Sequence, residues 1–188
     1  MALPNKEISN LACIARVIVG PCTGILQDVL KNQITLSDLR KGFRYLLDEG
    51  YLITQYANNV YLLIYEFGAN YSDFDITLLY FFLISICNIP VVKPESRRFP
   101  TSETDRSLSA NIERIYLMHR KYRYFQDGSL KDSTFEKEWK RIFQTVKELE
   151  EYIGSDTAHQ DTMKKIKNSS MDPDVEHVFI AKLGEEIK

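Results

Sequence analysis

The amino-acid sequence predicts an all-α fold, a helical bundle with a long antiparallel helix pair. Apolar side chains recur at helical spacing along most of the 188 residues, and residues typical of helix starts and ends border these segments. Eight glycines and six prolines are few for a β fold rich in tight turns. At this length we expect one domain, with a bundle over residues 1–154 and a C-terminal helical extension over 155–188.

The N-terminal segment has two apolar runs at helical spacing, over residues 8–19 and 25–30. Pro21 lies between them and lacks the N–H group that an α-helix needs. We therefore expect the helix to kink or to split at Gly20.

The next helix is predicted from Thr35 and Asp38, which can form a capping box, to a stop at Gly50. Residues 51–67 contain a run whose composition also fits a strand. We predict a helix there, because an isolated strand would leave its backbone groups without hydrogen-bond partners.

Residues 73–87 are apolar nearly all round, which predicts a central helix surrounded by others. Aromatic side chains are frequent in it, and core packing is a simpler explanation for them than a ligand pocket. The connection over residues 89–104 contains three prolines together with Arg97 and Arg98. Those two arginines either bind a phosphate or a carboxylate, or keep the loop solvated.

The long pair is predicted over residues 105–126 and 133–153. Asp105 or Ser107 can cap the first helix, and Ser133 with Glu136 forms a capping box for the second, which Gly154 ends. The first apolar stripe comprises Leu108, Ile112, Ile115, His119 and Tyr122, with Arg114, Arg120, Lys121 and Arg123 off that stripe. The second stripe comprises Phe135, Trp139, Ile142, Phe143, Val146, Leu149 and Ile153. Trp139 is therefore expected in the core.

The C-terminal segment predicts a marginal helix over residues 155–170, followed by an amphipathic helix that begins at Pro173. The predicted apolar side of that last helix comprises Val175, Val178, Phe179, Ala181 and Leu183. It either docks on the bundle or pairs with another chain.

Composition excludes several classes of function. A net charge of −2 gives no overall field toward nucleic acid or membrane, so any such binding must be local. Cys13, Cys22 and Cys87 form no Cys-x-x-Cys pair and lack clustered histidines, which argues against a metal site and a disulfide framework. We expect no cofactor, no metal and no membrane segment, and a cytoplasmic location.

The long pair also carries a resemblance to a known family. The matching residues are Asp105, Ser107, Ala110, Ile112, Arg114, Ile115, Arg120, Phe135, Glu136 and Trp139, with further likeness over residues 73–79, 86–89 and 170–173. This pattern resembles the HEPN domains of the DAZ-interacting zinc-finger ubiquitin-ligase type. The resemblance implies a HEPN-like bundle, homodimers, and fusion to ubiquitin-ligase, death-fold or nucleotide-binding oligomerisation domains in innate-immune signalling.

The catalytic motif of that family is degenerate here. HEPN ribonucleases have Arg, then Asn, then His a few residues later, whereas this chain has Arg120, Lys121 and Gln126 in that register. The resemblance implies that the missing histidine exchanges a proton during RNA cleavage, and a glutamine amide has no pKa near neutrality. Arg114 and His119 have an Arg-x-x-x-x-His spacing, but out of that register.

Three functions follow as expectations. The first is a non-catalytic module that self-associates or recruits a signalling protein, with Ile115, His119 and Tyr122 as the dimer-interface candidates. The second is RNA or anion binding without cleavage, and its candidate residues are Arg114, Arg120, Lys121 and Arg123. The third is a ribonuclease, for which the changes at Lys121 and Gln126 leave the least support.

Overall fold

The computed structural model describes residues 6–51, 55–66, 68–91, 104–125, 127–169 and 173–184, and the regular structure within these ranges is entirely helical. The α-helices are α1 Lys6–Val17, α2 Thr23–Gln33, α3 Leu36–Asp48, α4 Gln55–Tyr61, α5 Ile76–Ser85, α6 Leu108–Arg123, α7 Asp132–Ile153, α8 Ala158–Asn168 and α9 Pro173–Gly184. Two π-helical turns, Ile18–Cys22 and Leu62–Glu66, and a 3₁₀ turn, Tyr71–Asp73, complete the regular elements. The predicted all-α class is confirmed.

Pro21 does not split the first helix, which was one of the two outcomes that the sequence predicted. It lies inside the π turn Ile18–Cys22, which joins α1 to α2 without interruption. The wider turn leaves the proline ring room and reroutes the hydrogen bonds, so that the Thr23 hydroxyl donates to the carbonyl of Ile18 at 2.9 Å. By length and composition this 28-residue helix can cross a membrane, but 56% of its apolar window is buried within the described structure, as in a core helix.

Helix α5 forms the centre of the core, as predicted. Asp75 caps its first turn by accepting a hydrogen bond from the Leu78 N–H at 2.8 Å. The Phe82 ring is buried between those of Phe74 and Phe43, with ring centroids 5.2 and 6.2 Å away. Helices α2 and α6 pack on α5. The connection with Arg97 and Arg98 lies outside the described residues.

Helices α6 and α7 run antiparallel. Asn111 near the start of α6 meets Glu148 near the end of α7, and Lys121 near the end of α6 meets Glu138 near the start of α7. Ser107 caps α6 by accepting from the N–H of Ala110 at 3.3 Å, one of the two predicted caps.

The predicted capping box of α7 is wrong. The helix starts at Asp132, so Ser133 already lies in its first turn, and the N–H of Phe135 bonds to the Lys131 carbonyl at 2.8 Å. Gly154 ends the helix with a φ of 67°, as predicted. Trp139 is buried as expected, with its ring 6.0 Å from that of Phe135.

Helices α8 and α9 pack on α1, so of the two predicted arrangements for the last helix the described residues show docking on the bundle. The predicted apolar side of α9 is partly wrong, because Val175 and Val178 are 42% and 48% exposed while Glu176 is 4% exposed. Leu183 is buried as predicted. A Cβ atom at Gly24 in α2 would lie 2.7 Å from the ring of His159, so a larger residue there would displace this side chain of α8.

Candidate functional site

The degenerate motif, Arg120, Lys121 and Gln126, begins in the last turn of α6. Lys121 has a structural role there. Its Nζ lies 2.9 Å from Oε1 of Glu138, a carboxylate of α7 whose side chain is 8% exposed. A buried carboxylate is costly unless it is paired, so the lysine compensates for the burial of Glu138. Gln126, at the position of the family's histidine, lies outside the described residues.

Arg120 is exposed on the outer side of α6. Its guanidinium is 5.9 Å from the ring centroid of Tyr116, which stacks on Tyr80 of α5 at 3.9 Å with an interplanar angle of 7°. The Tyr80 hydroxyl donates to Glu113 at 2.5 Å. Burial, followed by the hydrogen bond to Glu113, raises the pKa of Tyr80, so that the phenol remains a donor.

These groups belong to an outer face, here called the Tyr–Arg surface. It consists of Tyr80, Glu113, Tyr116, Arg120, Arg123 and Tyr124. In α6, Glu113, Tyr116, Arg120 and Arg123 recur at intervals of three or four residues, which places them on one side of the helix, and Tyr124 follows at its C-terminal end. Tyr124 is 66% exposed, and the guanidinium of Arg123 lies 5.4 Å from the centroid of its ring.

Arg114 does not belong to this face, contrary to the sequence-based expectation of an off-stripe basic side. It is 7% exposed and donates to Oδ1 of Asn111 at 2.5 Å and to the backbone carbonyl of Asp105. Burial, and next the positive charge of Arg106, lower the pKa of the Arg114 guanidinium. The four basic candidates therefore lie in three different places. Arg114 is buried on the α7 side, Lys121 forms an ion pair with Glu138, and Arg120 and Arg123 belong to the Tyr–Arg surface.

Arg114 lies instead at a cavity between α6 and α7, here called the basic groove. Its volume is about 340 Å³, and it is lined by Arg106, Arg114, Lys137, Lys140, Arg141 and Gln144. The candidates predicted from the sequence did not include the two lysines and the arginine that α7 contributes. Their spacing of three and four residues from 137 to 144 was the available signal.

The three predicted dimer-interface residues are buried within the protomer. Ile115, His119 and Tyr122 are 1%, 7% and 3% exposed, because α6 is covered by neighbouring helices on more than one side. They cannot form a surface between two copies without unpacking the core. The buried hydroxyl of Tyr122 lowers the stability of the protomer, since within the described structure it has no hydrogen-bond partner.

The family comparison agrees with this architecture. A family model described as DZIP3/hRUL138-like HEPN matches residues 24–179 of the 188. The chain belongs to this HEPN family. The match includes α2 through most of α9 and confirms the predicted resemblance. No curated protein and no solved structure matches the chain.

The alternative Arg-x-x-x-x-His pair of this HEPN domain is not assembled into one site. Five helical positions turn His119 by about 140° from Arg114 around α6. His119 lines a different cavity, of about 420 Å³, at the π turn between α1 and α2. The charged residues that line this cavity with His119 are Asp73, Asp75 and Lys182, and Arg114 is not among the lining residues.

The cysteines of the HEPN domain are unsuited to thiolate chemistry at neutral pH. Burial raises the pKa of Cys13 and Cys87 to about 11 and that of Cys22 to about 12. Among the residues that the structure describes, no group of three or more His, Cys, Asp or Glu side chains can hold a metal ion.

Proposed function

We propose that this HEPN domain is a non-catalytic interaction module that self-associates through its Tyr–Arg surface. The setting we propose, from the family resemblance, is cytoplasmic innate-immune or ubiquitin-linked signalling, where the paired domain recruits a further protein. One observation carries the proposal. The Tyr–Arg surface presents stacked tyrosines, arginines and a carboxylate on the outer side of α6.

The composition of this surface suits a protein interface. Tyrosine and arginine are enriched in interfaces and among the residues that dominate their binding energy. Tyr116 and Arg120 are already ordered by their contacts with Tyr80 and with each other, so little side-chain entropy is lost on association.

The surface is also complementary to a second copy of itself. Glu113 and Arg120 are separated by two turns on the same side of α6. When two α6 helices pack antiparallel about a twofold axis, Glu113 of one copy faces Arg120 of the other, and the reverse pair forms as well. These pairs offset the repulsion between the arginines of the two copies.

The residues at the motif support a role without catalysis. Arg120 stacks on Tyr116 and Lys121 pairs with Glu138, so each has a contact within the protomer. A glutamine at position 126 cannot exchange protons at neutral pH. RNA added to the purified domain should therefore remain uncut.

Light scattering of wild type and two matched double variants tests the proposal. R120E/Y124S alters the Tyr–Arg surface, whereas K41E/Y45S makes the same type of change at the same spacing on the exposed side of α3. We expect dimers for wild type and K41E/Y45S, and monomers for R120E/Y124S. A wild-type monomer at high micromolar concentration, or equal dimerisation of all three proteins, would overturn the proposal.

RNA binding without cleavage is the second candidate function. Arg120 and Arg123 beside Tyr116 and Tyr124 combine cations with rings on which unpaired bases can stack. Fluorescence anisotropy with labelled single-stranded RNA at two salt concentrations separates it from the first, because phosphate contacts weaken as salt rises. Salt-sensitive RNA binding that R120E/Y124S abolishes, by a protein that stays monomeric, would favour this alternative.

A further inference from the structure

The basic groove gathers cations from two helices and a loop. Lys137, Lys140, Arg141 and Gln144 recur at helical spacing along one side of α7, facing Arg114 of α6. Arg106, which precedes α6, adds its guanidinium at the same cavity. Five of the six lining residues are therefore cationic.

Glu148 and Asp105 offset part of this positive charge. Glu148 accepts hydrogen bonds from Asn111 at 3.0 Å and from Gln144 at 2.7 Å, and its Oε1 lies 3.3 Å from Arg106. Asp105 is the other carboxylate whose charge acts on Arg114. In the described part of the chain, no carboxylate pairs with Lys137 or Lys140.

The groove is also partly fixed before any ligand arrives. Arg114 is held by Asn111 and by the Asp105 carbonyl, and burial keeps that side chain from moving into solvent. The positive charge of an anchored guanidinium is held in place, so it attracts an oxyanion with little further loss of side-chain entropy. Lys137 and Lys140 are exposed and can close over an anion from the solvent side.

We propose that the basic groove binds a small anion that carries two or more phosphate groups. The stretch from residue 137 to residue 144 spans about 10 Å along α7, the length of a short phosphate chain rather than of an RNA strand. A volume of about 340 Å³ lies at the lower end of small-ligand sites. Among the described lining residues none is aromatic, so the groove offers no ring on which a base would stack.

This site is independent of the proposed self-association. The Tyr–Arg surface lies on the outer side of α6, whereas Arg114 is on the α7 side of the same helix. Variants of Lys137 and Lys140 leave Tyr116 and Arg120 unchanged, so failure of the anion site and failure of the dimer are separate results.

Calorimetric titration with inorganic tripolyphosphate at constant ionic strength tests the site. The variant in the groove is K137Q/K140Q. The control is K147Q/K165Q, which removes one half-buried and one exposed lysine outside the groove. We expect one tripolyphosphate per chain for wild type and control, and an affinity lower by about 10- to 100-fold for K137Q/K140Q, because each lysine contributes a charge-assisted contact. Orthophosphate should bind more weakly, because it engages fewer of the cations.

A second measurement uses only the wild-type protein. Tripolyphosphate should protect Lys137 and Lys140, but not Lys147 or Lys165, from acetylation by an N-hydroxysuccinimide ester, as read by peptide mass spectrometry. No saturable binding, or equal loss of affinity in the two double variants, would overturn the proposal. Single-stranded RNA that displaces tripolyphosphate from these lysines and binds more tightly would assign the groove to nucleic acid instead.

Discussion

Arginine has opposite environments on the two sides of helix α6. Arg114 is 7% exposed and hydrogen-bonded beside α7, whereas Arg120, less than two turns later, stacks on Tyr116 at the outer surface. Six positions rotate a side chain by about 240° around a helix, which is enough to exchange the interior for solvent. A basic residue in an amphipathic helix therefore indicates a binding surface only after its neighbours are known.

The largest expected effect tests the interior of the α6–α7 pair. Trp139→Ala should lower the free energy of unfolding by about 3–5 kcal/mol, because it leaves a large cavity beside Phe135. The matched change Lys140→Ala, at an exposed neighbouring position, should cost less than about 0.5 kcal/mol. Urea denaturation measures both, and similar losses for the two variants would contradict the buried placement of Trp139.

The next test compares the two arginines directly. Arg114→Ala should cost about 1–3 kcal/mol, since Asn111 and the Asp105 carbonyl lose a charged donor. Among the described residues, Arg120→Ala loses a contact with the Tyr116 ring and should cost at most about 1 kcal/mol. A larger loss for Arg120 than for Arg114 in denaturant titrations would reverse the assignment of the inner and outer sides.

The pH dependence of stability tests the cost of a buried charge at Cys22, in contrast to the hydrogen-bonded charge of Arg114. A thiolate at Cys22 would be fully buried, so the folded-state pKa is raised to about 12 from its usual value of 9.0. The folded chain then binds more protons than the unfolded chain above pH 9, and stability falls with rising pH until about pH 12.

The expected contribution of Cys22 is a loss of about 1 kcal/mol between pH 9 and pH 10, because the unfolded-state thiol is half ionised at pH 9 and almost fully ionised at pH 10. Denaturation of wild type and Cys22→Ala at several alkaline pH values isolates it, because the other titrating groups are common to both proteins. Equal slopes of stability against pH would show that the Cys22 thiol ionises as it does in water.

The smallest expected effect concerns the tyrosine on the inner side of α6. Tyr122→Phe removes a buried hydroxyl that has no hydrogen-bond partner in the described structure, so stability should change by less than about 0.5 kcal/mol or rise. Tyr80→Phe is the matched control, and it should destabilise the protein because that hydroxyl donates to Glu113. Thermal unfolding of both variants distinguishes the two hydroxyls.

Sequence periodicity predicted most of the fold and less of the candidate site. The stripe through Trp139 in α7 and the apolar helix α5 were correct, because each buries residues that are apolar by composition. Helix α6 is contacted by α5, α7 and α9, so a single stripe could not describe its burial. That is why Arg114 was placed outside.

Tertiary contacts also decided details that local patterns do not contain. In α9 the buried Glu176 and the exposed Val178 exchange the places that their polarity predicts. The basic groove combines Arg106 with residues more than 30 positions later, and no local pattern in the sequence joins them. The sequence shows the regular spacing of the basic residues within α7, but it does not show which residues face them across the groove.

The π turn at Pro21 has a consequence for comparing chains of different length. Such a turn holds one residue more than an α-helical turn, so residues after Cys22 keep the register of a helix that is one residue shorter. A relative with one residue fewer between Ile18 and Cys22, and no proline there, would present the same two buried faces as α1 and α2. A deletion elsewhere in Lys6–Gln33 would turn one face by about 100° away from the core. Alignments across this helix should therefore place single-residue gaps at the π turn.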